Sequence, residues 1–198
     1  MVDAKLGGFQ FLIPWKSQVF RPFGALPNLN VSNELEPTAP KIEFTQLDKI
    51  TEIVAGERIS AVKLLSGDEE YLQDHFPRFP VMPGVLMLEA MFQASSWLIR
   101  YTNDFSHSTV ELREAKNIKF QNFVTPGNEL VVNAKILKQN GQQYSLKAEG
   151  LLGDGVAVSG RLVVETYNRN DRHPSNTTVD EIVAHKKRRD FEQLYSGD

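Results

Sequence analysis

The chain contains no cysteine. Disulfides, thiolate metal sites and a cysteine nucleophile are therefore excluded, and a reducing compartment is compatible with the composition. A charge excess is missing too: 22 Lys plus Arg stand against 25 Asp plus Glu in 198 residues, a formal charge of −3. A surface that tracks phosphates leaves a basic surplus, so nucleic acid is not expected as a partner. Long apolar runs are absent. The longest, Val85 to Leu88, falls far short of the roughly 20 residues a bilayer span needs. The stretch Phe9 to Trp15 is interrupted by Gln10 and Pro14 and is too short for a signal-peptide core. A soluble, cytoplasmic protein is expected. His107, His173 and His185 have no ligand spacing, so no metal is expected either. Repeats and low-complexity tracts are not found.

What is there divides into three zones. Residues 1–40 hold five of the ten prolines (Pro14, Pro22, Pro27, Pro37 and Pro40). Phe9, Phe11, Ile13 and Trp15 alternate at period two, which suits a strand-like arm packed on its own domain or on a partner. A lid over a substrate tunnel is the alternative. Residues 41–168 form the body. Lys49–Val54 and Ile59–Leu65 read as a hairpin, and Glu111–Phe120, Glu129–Leu137, Gln143–Leu151 and Val156–Tyr167 as four further strands. Asn140-Gly141 and Asp154-Gly155 mark the last two turns. Residues 169–198 are a polar tail. There Thr178 to Glu181 has capping-box spacing for a terminal helix, and Lys186 to Arg189, flanked by acids, reads as a solvated helix face.

Between the second and third strands, Gly84 to Tyr101 reads as one long helix with Pro83 in its first turn. It is apolar nearly all round, so burial is expected, and a sheet wrapped about a single central helix is an α+β arrangement. Glu89 sits among Leu86, Leu88, Ala90, Met91 and Phe92. A buried, unpaired carboxylate costs several kcal/mol and escapes by a raised pKa, which makes it a proton donor. Alternatively, Glu89 is a structural acid bonded to Gln93 one turn on. His75 lies in a loop stiffened by Pro77, Pro80 and Pro83, and neutral imidazole is the usual general base. The loop delivers Gly84 at the helix N-terminus, where free N–H groups hold a developing oxyanion. Base, oxyanion donor and acid together make a proton-abstraction and elimination set.

His75-Phe76-Pro77, Pro80, Met82-Pro83-Gly84-Val85-Leu86 and Glu89-Ala90-Met91 with Gln93 resemble the signature of the 3-hydroxyacyl-(acyl-carrier-protein) dehydratases of the FabZ type. The His to Glu separation, 89 − 75 = 14, is the family's. Lys119-Phe120 through Pro126-Gly127 resembles its second landmark, a strand ending in a Pro-Gly turn. The resemblance spans about residues 45–167. It implies a hot-dog fold: an antiparallel sheet of about six strands wrapped around one long helix. It further implies His75 as the base at Cα, Gly84 as the carbonyl-polarising N–H donor, and Glu89 as the acid for the departing hydroxyl. Gln93 would support Glu89, and Val85 and Phe76 would line the substrate. No cofactor is implied; the acyl group travels on the phosphopantetheine of an acyl carrier protein or on CoA. A dimer or a trimer of dimers follows, since His and Glu of one family site come from opposite subunits.

Departures occur at Asp74 and Arg78, where the family has glycine, at Asn128, where Asp is common, and in the proline-rich arm that replaces an N-terminal helix. A carboxylate at Asp74 would favour the imidazolium form of His75 if it points that way. Arg78, Arg100 and Lys119 are candidates for docking an acidic carrier. Two other readings stay open: a hot-dog acyl thioesterase, and a non-catalytic acyl-binding hot-dog subunit.

Overall fold

The structure is a computed structural model that describes residues 44–172 and 177–195. The arm with its Phe9 to Trp15 row lies outside the described residues. Strands β1 (Lys49–Val54) and β2 (Arg58–Leu64) are followed by a single helical turn α1 (Tyr71–Asp74) and the long helix α2 (Gly84–Thr102). Then come β3 (Thr109–Phe120), β4 (Glu129–Asn140), β5 (Gln143–Leu152) and β6 (Gly155–Tyr167), and finally α3 (Arg169–Arg172) and α4 (Thr177–Leu194). The strands form one sheet in the order β1-β2-β4-β5-β6-β3, with every neighbouring pair antiparallel. This is the α+β hot-dog arrangement.

Period-two alternation builds the inner face. On β4, Leu130, Val132 and Ala134 are buried while Val131, Asn133 and Lys135 are not. On β5, Tyr144, Leu146 and Ala148 do the same. The last two hairpins turn one residue away from where the dipeptides suggest. Asn140 pairs with Gln143 and Leu152 with Gly155, so the central positions are Gly141-Gln142 and Gly153-Asp154. The positive φ falls on Gly141 (57°) and Gly153 (54°), and Gly155 opens the next strand.

Helix α2 is two-faced, which corrects the expectation of burial all round. Met87, Ala90, Met91, Ala94, Trp97, Leu98 and Ile99 are buried, and the helix contacts β2, β3, β4, β5 and β6. Glu89, Gln93, Ser96 and Arg100, at spacings of 4, 3 and 4, form a half-buried stripe away from that core. The reason is that a sheet curls round one side of a helix only. Pro83 also sits one position earlier than expected. It is the N-cap, with φ −56° and ψ 137°, and its carbonyl accepts from the Leu86 and Met87 N–H groups (2.9 and 3.2 Å). Its missing N–H costs nothing there.

Helix α4 docks by one face, while Lys186, Arg188 and Arg189 of its basic run are exposed as expected. Phe191 is only 6% exposed and packs against Trp97, Tyr101, Phe105 and Tyr195 with ring centroids 5.2–6.1 Å apart. In the basic run, Lys186 and Lys187 reach Asp190 of the same helix, and Arg188 bridges to Asp104 at 2.8 Å. Near the start of the helix, the buried Asp180 accepts hydrogen bonds from the Ser108 hydroxyl and from the N–H groups of Arg169 and Asn170. That one carboxylate joins α4, α3 and the entry to β3.

Candidate active site

The loop from β2 to α2 is held at both ends by the turn at residues 124–128. Leu65 N–H donates to Asn128 O, Gly127 N–H to Leu65 O, and Met82 N–H to Val124 O (3.0, 2.7 and 2.8 Å). Asn128 closes that turn with its amide, donating to the Thr125 carbonyl and hydroxyl; an Asp there has no N–H to give. Near the end of β2, Lys63 lies between Asp48 and Glu69, and Glu69 accepts from the Ser66 and Gly67 N–H groups. Burial pushes the Glu69 carboxyl up, but these N–H groups and the Lys63 charge outweigh it and hold the pKa below the ordinary value.

On this footing α1 ends at His75, whose N–H donates to Tyr71 O at 3.0 Å. The imidazole Nδ1 lies 2.9 Å from Val81 O. A carbonyl only accepts, so Nδ1 carries hydrogen and neutral His75 presents a lone pair at Nε2. Asp74 is exposed and makes neither ion pair nor hydrogen bond with the ring among the described residues. Phe76 adopts φ 53°, a left-handed backbone that costs a non-glycine residue about 1–3 kcal/mol. This backbone turns Phe76 outward, edge-on to His75 at 4.6 Å and 62% exposed.

Glu89 projects from the first turns of α2 and is half-buried rather than enclosed. Its Oε1 accepts from Gln93 Nε2 at 2.8 Å. Gln93 is pinned in turn: its Oε1 accepts from Gln46 N–H (2.8 Å), and its Nε2 also donates to Phe44 O (2.9 Å). A backbone N–H meets only the carbonyl end of an amide, so the NH2 end is forced toward Glu89. The residue pattern showed Gln93, but its anchors at residues 44–46 were missed, because backbone groups 47 positions away carry no sequence signal.

Gly84 opens α2, and its N–H and that of Val85 precede the first helical hydrogen bond, so both are available to a ligand. A Cβ on Gly84 would lie 3.0–3.3 Å from the Phe120 ring, which covers this helix end. Phe120 stood in the strand landmark read from sequence, but not as the cover of this helix end. Val85 is 70% exposed beside it. Among the described residues no hydrogen bond or ion pair joins His75 to Glu89 within one chain. No group of three His, Cys, Asp or Glu among them could hold a metal ion.

Arg78 and Lys119 are exposed. Arg100 is placed differently from the surface cation expected of it. Its guanidinium donates to the His107 and Ser108 carbonyls (3.1 and 3.2 Å) and lines a cavity of about 450 Å³ along α2. Burial pulls its pKa down to about 10, against the opposing charge of Asp190.

A family model described as a FabA-like domain matches residues 39–166. The 3-hydroxyacyl-(acyl-carrier-protein) dehydratase FabZ of Lactococcus lactis subsp. cremoris (strain SK11) is 35% identical over 135 residues, 68% of this chain and 93% of that protein. FabZ of Levilactobacillus brevis is 37% identical over 126 residues, 64% and 85% of the two chains. Among solved structures, the dehydratase heterocomplex ApeI:P from Xenorhabdus doucetiae superposes with TM-score 0.55 at 20% identity, covering 67% of this chain and 90% of that one, which supports the fold. The match runs from before β1 to the end of β6 and takes in both His75 and Glu89, and the chain belongs to the FabA-like family, in its FabZ-type dehydratase group.

Proposed function

We propose that this chain dehydrates 3-hydroxyacyl thioesters to trans-2-enoyl thioesters, with His75 as base and Glu89 as acid. Nε2 of His75 takes the proton from Cα, and the electron pair moves into the thioester carbonyl. The Gly84 N–H, at the positive end of α2, donates to that oxygen as enolate character develops. Collapse of the enolate forms the Cα=Cβ bond while the C–O bond at C3 breaks, and Glu89 gives its proton to the departing hydroxyl as water. Return of the His75 proton to Glu89 resets the pair. The reaction is redox-neutral overall and these groups supply each proton transfer, so no cofactor is invoked. The observation that supports the reading is the Nδ1 hydrogen bond to Val81 O, which leaves Nε2 as the basic atom.

The working site is assigned to a homodimer, His75 from one protomer and Glu89 from its partner, as the resemblance to the FabZ-type family implies. The acyl carrier would be an acyl carrier protein or CoA, with Arg78 and Lys119 as the exposed cations near the site that meet its phosphate or acidic surface. No helix among the described residues is long and apolar enough to cross a membrane. The test follows enoyl absorbance with crotonyl and longer thioesters of CoA and of a carrier protein, run toward hydration. Reversible absorbance loss is expected. Silence with every carrier and chain length would sink the reading, and thiol release would replace it with a thioesterase.

A further inference from the structure

The stripe that carries Glu89 continues along α2 through Gln93 and Ser96 to Arg100, about 16 Å in all at 1.5 Å per residue. A cavity of about 450 Å³ starts one turn beyond Glu89, at Gln93, and runs to Arg100. Its wall changes character along the way. Phe44, Phe92, Trp97 and Val110 supply apolar surface. The far end holds Arg100 together with Lys187 and Asp190 of α4, two cations against one carboxylate. Arg100 uses two of its five N–H donors on the His107 and Ser108 carbonyls. Ser96 lines the cavity too, and its Oγ is buried without a hydrogen-bond partner. Helix α4, with Lys187 and Asp190, lies beyond residue 166, where the family match ends.

A partly apolar cavity that begins one turn from the acid and ends at the buried Arg100 guanidinium suits an aliphatic chain with an anion at its tip. We propose that the cavity receives the far end of a 3-hydroxyacyl chain terminating in a carboxylate, with Arg100 and Lys187 meeting the charge and Ser96 donating to one carboxylate oxygen. The proposal rests on the dehydratase reading and names its substrate class. A methyl-ended chain leaves the buried Ser96 hydroxyl without a partner; a carboxylate-ended chain supplies one and meets the Arg100 charge.

The test compares pantetheine thioesters of matched length, methyl-ended and carboxylate-ended, on the full chain. The carboxylate-ended series is expected to show a kcat/KM about tenfold higher or more, and Lys187→Glu should abolish that preference. Arg100→Gln risks the entry to β3, so Ser96→Leu, which fills the cavity, is the second variant and should lower the same ratio. In parallel, calorimetric titration with an alkanoate and with the alkanol of equal length should show tighter binding of the alkanoate, lost in Lys187→Glu. Turnover of plain substrates with no carboxylate preference and no Lys187 effect would overturn this inference and leave the dehydratase reading standing. Carboxylate binding without turnover of any thioester would instead overturn the dehydratase reading, and with it the identity of the ligand as substrate.

Discussion

A single hydrogen bond decides which atom of His75 can act. With Nδ1–H committed to Val81 O, the ring cannot turn over without losing a bond, so His75→Ala should cost about 10²–10⁴ in kcat while leaving the melting temperature nearly unchanged. A large fall in melting temperature would make His75 a structural residue instead. Gly84 offers a second check. Gly84→Ala pushes a methyl to 3.0–3.3 Å from the Phe120 ring, and a displacement of a few tenths of an ångström at the proposed oxyanion donor should lower kcat by roughly tenfold or less. The double variant Gly84→Ala with Phe120→Leu should recover most of that loss; no recovery would place the effect elsewhere. At this scale the site was half legible. Glu89 and Gln93 stand one turn apart, and helix geometry alone brings them together. The Val81 carbonyl, the Phe44 and Gln46 anchors and the Phe120 cover were not legible, because backbone acceptors carry no residue identity and long-range neighbours leave no spacing.

At the scale of elements, the strand and helix positions followed from alternation and apolar density, with ends off by one to three residues where turn chemistry decides. Gly153, not Gly155, takes the positive φ because the turn follows the end of β5 rather than the Asp-Gly pair. The docking of α4 was hidden for another reason: Phe191 is one aromatic in a charged stretch, and its burial depends on a notch formed by Trp97, Tyr101 and Phe105. Phe191→Ala should therefore destabilise the protein by about 3–5 kcal/mol in chemical denaturation, whereas a loss under about 1 kcal/mol would show a helix that merely rests on the surface. Asp180 makes the same attachment sensitive to acid. Burial raises its pKa, but the Ser108 hydroxyl, the Asn170 and Arg169 N–H groups and the Arg169 charge outweigh this and leave it below 3.8. A carboxyl with a depressed folded pKa contributes stability that is present above its unfolded pKa and lost as pH falls through the folded one. Melting temperature should accordingly fall as pH drops below about 4. Asp180→Asn should lower it at neutral pH and flatten that part of the acid limb; an unchanged limb would assign the acid sensitivity to other carboxylates.

For the whole molecule, the question is what covers the site. Strand β3 closes the sheet as an edge of 12 residues, most of them exposed or half-buried, and an edge of that length invites pairing with another strand. Around His75 and the α2 N-terminus, Phe76, Phe79, Phe120, Phe123 and Val85 are each more than half exposed, a concentration of apolar surface that single folded chains seldom leave to water. A second copy laid along β3 would pair the edge, cover those rings and bring Glu89 of one protomer toward His75 of the other. Complementation tests the arrangement directly. Mixing His75→Ala with Glu89→Gln under conditions of subunit exchange makes about half of the dimers hybrid. Each hybrid holds one site with both groups intact and one with neither, so about a quarter of wild-type activity should return. The same mixture without exchange, or either variant alone, should stay at its residual level. Recovery that requires exchange places the pair across the interface. If exchange is complete by mass spectrometry and activity stays at the residual level, both groups act within one chain, and the second copy does not complete the site.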